Sequence, residues 1–335
     1  MLQKVETLVV GAGAVGGTIA AMLQASGHTT GLLVRDMGSA PLRAVDRIRL
    51  DHASGKAVLT AACPPIGTRI DAFSPRRVLV AVKYPALDAV AASLRDLPTD
   101  VPIISCLNGV SSTRILRQAL PDHTIDHLTV LFNSNIQGPL HYQLTTPPIL
   151  MMESRDPNWR KQLRMAGFRV VLGDASAAWG KLLFNLNNAI CTLAHASFLD
   201  VMRDRKLRRA FVYALDEAVA VLRAGKVPFR MPFPVPYGVY RMMSVYLGPI
   251  PGYLAQLSNS LSEYSHPSMA ADIAAHRPTE IQQINGEICA LGRRVGRPTP
   301  VNDLLVDLVH ALETQDPPRY LSPSELFKRI ERVCR

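Results

Sequence analysis

Three glycines near the start of the chain constrain its fold more than any other feature. They lie in Val9-Val10-Gly11-Ala12-Gly13-Ala14-Val15-Gly16, directly behind a short apolar run and at the head of a helical pattern. A strand, a G-x-G-x-x-G turn and a helix in that order make the dinucleotide-binding fingerprint. Gly11 permits the tight turn, Gly13 lets backbone approach a pyrophosphate, and Gly16 lets the helix pack against the sheet. The helix N-terminus then offers its amides and partial positive charge to phosphate. Gly11, Ala12, Gly13, Ala14, Val15 and Gly16 are therefore cofactor-binding candidates. The uncharged stretch Leu8 to Leu23 also imitates the core of a secretory signal, but four glycines within it weaken the helix such a signal needs.

A glycine turn of this kind belongs in alternating β and α units, and the first half of the chain supplies them. Glu6 to Val10, Gly31 to Val34, Val78 to Val82, Val101 to Cys106 and Ile125 to Leu131 read as strands. Ile149 to Met152 and Arg169 to Leu172 close the sheet. From Ala175 onward the period changes to that of helices. Leu207, Phe211, Leu215 and Leu222 form one apolar stripe, and Leu304, Leu308 and Leu312 another. The expected fold is an α/β Rossmann-type N-terminal domain, residues 1–174, followed by a mostly α-helical C-terminal domain, residues 175–335. The first would bind the dinucleotide, the second the substrate. Lys226 to Ser258 holds six prolines among tyrosines, a composition that interrupts regular helix and suits either a loop beside an active site or a surface excursion.

With 48% hydrophobic and 19% charged residues, the chain is globular rather than disordered. Its 37 Lys and Arg against 27 Asp and Glu give a net charge of +10, which favours anionic ligands without choosing among them. The basic cluster Arg203, Arg205, Lys206, Arg208, Arg209 lacks the interleaved aromatics of a nucleic-acid groove and reads as a solvated helix face, so no nucleic-acid partner is expected. No apolar run is long enough for a membrane span. Five scattered cysteines without C-x-x-C spacing signal neither disulfides nor a metal site and suit the reducing cytoplasm.

At the end of the second strand Arg35 precedes Asp36, where a ribose-reading residue is expected about 20 positions beyond the glycines. Arg35 would pair with the 2′-phosphate of NADP, and Asp36 would take the ribose hydroxyls of NAD. Arg35 carries the expectation to NADP. Lys83 and Asn108 follow two further strands and so face the cofactor crevice of an open α/β sheet. In the second half, Lys181, Asn185 and Asn188 fall at i, i+4 and i+7, one polar stripe on an otherwise apolar helix. Ser268 and Glu280 each open a helix, where a cap and a first-turn charge are the ordinary explanations.

Taken together, GAGAVG, Lys83 in AVK, Asn108 in LNG, Lys181 and Asn185 in KLLFN, Ser268 in HPSM and Glu280 in PTEIQQINGEI, followed by GRPTPVND, resemble the ketopantoate reductase (2-dehydropantoate 2-reductase) family over nearly the whole chain. The resemblance implies NADPH as hydride donor and reduction of a 2-keto acid to a 2-hydroxy acid, 2-dehydropantoate to pantoate in pantothenate biosynthesis. It implies Lys181 as proton donor, Asn108, Asn185, Asn188 and Ser268 as substrate ligands, and Glu280 as a residue orienting substrate and cofactor. Lys83 and Asn108 would line the cofactor cleft. Many members carry a second asparagine two turns after the lysine, where this chain has Ala189 and places Asn188 one residue early. A different 2-keto acid is therefore the alternative substrate, and a non-catalytic NADP-binding regulator the alternative function. A homodimer is allowed, although no residue specifies one.

Overall fold

The computed structural model describes residues 2–53, 57–231, 236–248 and 267–334. The chain divides into two compact units, Met1–Asp174 and Ala175–Arg335. In the first, the described strands run β1 Gln3–Val5, β2 Thr7–Val10, β3 Thr30–Leu33, β4 Arg47–His52, β5 Ala57–Ala62, β6 Ile66–Gly67 and β7 Phe73–Pro75. There follow β8 Val78–Val80, β9 Ile103–Ser105, β10 Ile125–Val130, β11 Ser134–Gly138, β12 His141–Leu144, β13 Ile149–Met152 and β14 Arg169–Leu172. Helices α1 Ala14–Ala25, α2 Asp36–Arg43, α3 Leu87–Ser93, α4 Ser111–Ala119 and α5 Pro157–Met165 lie between them.

The main sheet has eight strands in the order β14-β13-β10-β9-β8-β2-β3-β6. All pairs are parallel except β10 with β13. Successive residues of β2 enter opposite cores. Val9 joins Ile19, Ala20 and Leu23 of α1, while Leu8 and Val10 join Leu87 of α3 and Leu116 of α4. Both faces are covered, so the strand is an unbroken apolar run, as a parallel sheet requires. All seven expected strands of this sheet are present, each within two residues or so of its expected start.

A second sheet, β11-β12-β4-β5, was not expected from the sequence. Its strand β4 alternates exposed Arg47 and Arg49 with buried Ile48 and Leu50, a half-buried pattern that charged residues disguise. This sheet packs against α1. Tyr142 on β12 lies close against the helix: a Cβ at Gly17 would lie 1.9 Å from the tyrosine ring.

The second unit is helical, with α6 Ala175–Asn185, α7 Asn187–Leu193, α8 Phe198–Arg203, α9 Arg205–Ala224, α10 Tyr237–Tyr246, α11 Ser268–Ala274, α12 Ile281–Val295, α13 Pro300–Glu313 and α14 Pro323–Val333. Asp204 caps α9 by accepting the Lys206 and Leu207 N–H groups. The expected stripe Leu207, Phe211, Leu215, Leu222 is buried. On α13 the expected Leu312 is buried, but Leu304 and Leu308 are only half-buried and the stripe runs instead through Val301, Leu305 and Val309, one position on from the two expected leucines. Glu217 of α9 accepts the Val301 and Asn302 N–H groups, both at 2.9 Å, and the Asn302 Nδ2 at 2.7 Å. Burial pushes the Glu217 carboxyl above its ordinary range, and these three donors oppose that rise. Replacing Glu217 with Ala leaves helix-end N–H groups without their acceptor. A stability loss of about 1–3 kcal/mol is expected by urea unfolding.

Two expectations are corrected here. The basic cluster is not uniformly solvated: Arg208 is buried, donating to the carbonyls of Ser244 at 2.8 Å, Met202 at 2.6 Å and Arg203 at 3.2 Å. A guanidinium presents five donors, so carbonyls left over at helix ends can satisfy it without an acidic partner. Nor does the proline-rich stretch exclude helix, since its prolines flank the ten residues of α10 rather than interrupt them. Of that stretch, residues 232–235 and 249–258 lie outside the described residues, and with them part of the segment read as a loop beside the active site or a surface excursion.

Candidate active site

In the first unit, the glycine turn follows β2 and leads into α1 with Gly13 as its N-cap. Gly11 has φ +104°, and a Cβ there would lie 2.7 Å from the Ala81 carbonyl oxygen. Only glycine tolerates that combination. A Cβ at Gly16 would lie 2.1 Å from the Gly11 carbonyl oxygen, so turn and helix touch backbone to backbone. Gly13 differs, because a Cβ there would meet nothing within 4 Å. Its missing side chain therefore serves no internal packing. It leaves open the space over the helix N-terminus, a cradle that fits a dinucleotide phosphate.

The turns carrying the other candidates surround this one. Because β9, β8, β2 and β3 are adjacent and parallel, Asn108, Lys83, Gly11 and Arg35 all emerge beyond the carboxyl ends of neighbouring strands. Backbone bonds hold these ends in step: Gly11 N–H to Leu33 O at 2.9 Å, Ala81 N–H to Val10 O at 2.9 Å, Cys106 N–H to Val80 O at 2.8 Å. Arg35 and Lys83 are exposed and Asn108 is half-buried. Asp36 is the first residue of α2, with Arg35 as its N-cap residue in extended conformation.

Two tyrosines that sequence reasoning missed hold the turns in place. Tyr142 donates to the Ala12 carbonyl oxygen at 3.0 Å, fixing the glycine turn from 130 residues away in the chain. Burial pushes its hydroxyl well above the ordinary tyrosine range, so it remains a donor. Tyr84 donates to the Asn108 carbonyl oxygen at 2.7 Å and accepts from Ser111 Oγ at 3.2 Å, joining the Lys83 turn to the Asn108 turn. The aromatic directly after Lys83 was the available signal for Tyr84. Tyr142 had no local signal.

In the second unit, Lys181 and Asn185 lie one turn apart on α6, both half-buried among buried Leu182, Leu183 and Leu186. The single helix expected to carry Asn188 as well is interrupted at Leu186, which separates α6 from α7. Asn188 falls in the first turn of α7, buried, and its Oδ1 has no hydrogen-bond partner among the described residues. Ala189, at the position noted for a second asparagine, is fully buried. Gly180 lets another segment reach α6: a Cβ there would lie 1.6 Å from the Arg230 carbonyl oxygen, and Arg230 N–H donates to Ser176 O at 2.9 Å.

Neither helix-opening candidate serves as a side-chain cap. Ser268 is the first residue of α11 and is exposed; Pro267 holds the N-cap position. Helix α11 packs against α7, which carries Asn188. Glu280 occupies the N-cap position of α12 with φ −94° and ψ 25°, half-buried, and its side chain makes no capping hydrogen bond.

Four of the five cysteines are poorly disposed to act as nucleophiles. Burial raises the thiols of Cys63, Cys191 and Cys334 above their ordinary values and pushes Cys289 up to about 12, so none of the four favours a thiolate. Among the described residues no group of three His, Cys, Asp or Glu could hold a metal ion, and no helix is long and apolar enough to cross a membrane.

Comparison with known proteins covers both units. Residues 7–156 match the family described as ketopantoate reductase PanE/ApbA, and residues 175–313 match the ketopantoate reductase PanE/ApbA C-terminal family. A 2-dehydropantoate 2-reductase of Mycobacterium tuberculosis is 30% identical over 320 residues, spanning 90% of this chain and 96% of that protein. Among solved structures, a PanE/ApbA family ketopantoate reductase from Ralstonia eutropha JMP134 aligns with a TM-score of 0.75 at 24% identity, covering 92% of this chain and 98% of that one. D-mandelate dehydrogenase with NADH and anilino(oxo)acetate aligns with a TM-score of 0.74 at 20% identity, covering 92% and 98%.

Proposed function

Because the chain belongs to the ketopantoate reductase PanE/ApbA family, we propose that it is an oxidoreductase that reduces a 2-keto acid to a 2-hydroxy acid with NADPH, its substrate being 2-dehydropantoate. The observation that carries the reading is the open space at Gly13 above the N-terminus of α1, in a chain that also holds a half-buried lysine on α6. When bound, NADPH supplies the hydride that reduces the carbonyl carbon. Ala12, Ala14 and Val15 complete the phosphate turn, Arg35 binds the 2′-phosphate, and Lys83 and Asn108 line the nicotinamide side.

The Lys181 ammonium attracts the substrate carboxylate and stabilises negative charge growing on the ketone oxygen. It then gives that oxygen a proton from Nζ and regains one from water. Asn185, Asn188 and Ser268 hold the substrate by hydrogen bonds, the Asn188 Oδ1 being a buried acceptor without a hydrogen-bond partner among the described residues. Glu280, with no capping role in α12, orients the substrate and cofactor hydroxyls. A bulkier or aromatic 2-keto acid is the second reading. It is favoured by Ala189, which stands where many members of the family carry a second asparagine.

Assaying NADPH oxidation against 2-dehydropantoate and a panel of other 2-keto acids tests both readings. The highest kcat/KM is expected with 2-dehydropantoate. A higher value with an aromatic 2-keto acid would select the second reading, and no turnover of any would remove the enzymatic one. Arg35 is tested on binding alone. Since a charge-assisted hydrogen bond contributes about 1.5–3 kcal/mol, Arg35→Ala is expected to weaken NADPH binding by about 10- to 100-fold and leave NADH binding nearly unchanged. Equal losses for both cofactors in calorimetry would transfer recognition to Asp36 or to the pyrophosphate turn.

A further inference from the structure

The carboxylate of Glu313, which has no part in the chemistry above, closes on the backbone beside Glu280. Glu313 is the last residue of α13, and its Oε1 accepts the Thr279 N–H at 2.7 Å. The Thr279 side chain bonds to the same carboxylate. On the other side, Glu313 Oε2 accepts from His310 Nδ1 at 2.8 Å, and His310 Nε2 accepts from Gln282 Nε2 at 2.8 Å. The pair on α13 therefore grips the start of α12 at Thr279, just before Glu280, and at Gln282, two residues after it.

The approach to Glu280 is fixed at its other end too. Arg277 N–H donates to the Asp272 carbonyl at 2.9 Å and Arg277 Nε to Asp272 Oδ1 at 3.0 Å, while His276 between them takes φ +49°. Asp272 is buried. A carboxylate in the last turn of a helix opposes the helix dipole, so Glu313 sits at an electrostatically unfavourable position for a plain interhelical tie. Burial also opposes its charge, yet the bonds from Thr279 and His310 prevail and hold the carboxyl below the ordinary glutamate range. Two costs are met at one place, and what lies there is the peptide that leads into Glu280.

We propose that His310 and Glu313 are a positioning pair for Glu280, fixing the Thr279 peptide and thereby the direction in which the Glu280 side chain leaves the backbone. The proposal rests on the reading of Glu280 as a substrate-orienting residue. Glu313→Gln tests it, because an amide offers one acceptor oxygen where the carboxylate offers two, and either Thr279 or His310 loses its bond.

Glu313→Gln is expected to raise KM for the keto acid about tenfold with kcat within about twofold, and to weaken binding of the 2-hydroxy acid in calorimetry by a similar factor. Hydrogen exchange at the Thr279 amide should quicken. The Glu280→Gln, Glu313→Gln double variant should bind no more weakly than Glu280→Gln alone. His310→Gln, at a side chain 42% exposed, should show the same pattern more weakly and covers the case in which Glu313→Gln does not fold. Additive effects of Glu280→Gln and Glu313→Gln would overturn the proposal, as would a lowered melting temperature with KM and Thr279 exchange untouched. If Glu280→Gln itself leaves KM and product affinity unchanged, the reading of Glu280 fails and the pair positions nothing. A strong Glu280→Gln effect beside a silent Glu313→Gln overturns the pair alone.

Discussion

Lys181→Ala is expected to lower kcat by about 10²-fold or more, the usual scale for loss of a positioned general acid, while the folded protein still binds NADPH. The separation follows from where the groups lie. The glycine turn and Arg35 belong to the unit Met1–Asp174, and Lys181 to the unit Ala175–Arg335, on helix α6, whose Leu182 and Leu183 are buried while the lysine is half-buried. Truncating a half-buried lysine leaves those leucines buried. A cofactor titration and a thermal melt should therefore scarcely register the change. Lys181→Arg keeps the charge but not the acid, because a guanidinium does not release its proton near neutral pH. That variant should keep much of the substrate affinity and still lose kcat. Near-normal kcat in a well-folded Lys181→Ala protein would sink the mechanism. A parallel fall in NADPH affinity would mean that the lysine serves the cofactor instead of the proton transfer.

What could be read from sequence, and what could not, divides by how far each requirement reaches along the chain. Strands β13 and β14 were delimited correctly because each holds a short run of apolar residues, Ile149–Met152 and Val170–Leu172, even though only Leu150, Met152 and Val170 are buried. Strand β4 needs apolar residues only at Ile48 and Leu50, and the intervening arginines hid it. The glycines were legible because φ at Gly11 is a local demand. The tyrosine that anchors their turn was not, since nothing near Tyr142 in sequence indicates that its partner is Ala12. Arg208 shows the same limit for charge. Its neighbours in sequence suggest a solvated face, whereas its actual partners are carbonyls at the ends of other turns, among them Ser244 on α10. Lys181 and Asn185 could be paired by helical spacing alone, but the break at Leu186 that places Asn188 on α7 carries no proline or glycine to announce it.

Gly16→Ala and Gly13→Ala should separate what the glycine turn does for the fold from what it does for the cofactor. At Gly16 an added methyl would stand 2.1 Å from the Gly11 carbonyl oxygen and 3.0 Å from the Ala81 side chain, so α1 must move away from the turn. Overpacking of this kind costs about 1–3 kcal/mol, and here the clash is with the carbonyl of Gly11, whose N–H is tied to the Leu33 carbonyl at 2.9 Å. Both the melting temperature and NADPH affinity should fall, the latter about 100-fold or more because the turn itself is displaced. At Gly13 the methyl meets nothing within 4 Å, and the residue's φ of −72° suits alanine. Losing glycine from an N-cap costs less than about 1 kcal/mol, so the protein should melt nearly as before. Its affinity for NADPH should nevertheless drop about tenfold or more, since the methyl projects into the space where backbone and pyrophosphate must approach. Calorimetry beside differential scanning melts reads both quantities on the same samples. Unchanged NADPH binding by a stable Gly13→Ala protein would mean that the turn is shaped for packing alone and that the phosphates bind elsewhere.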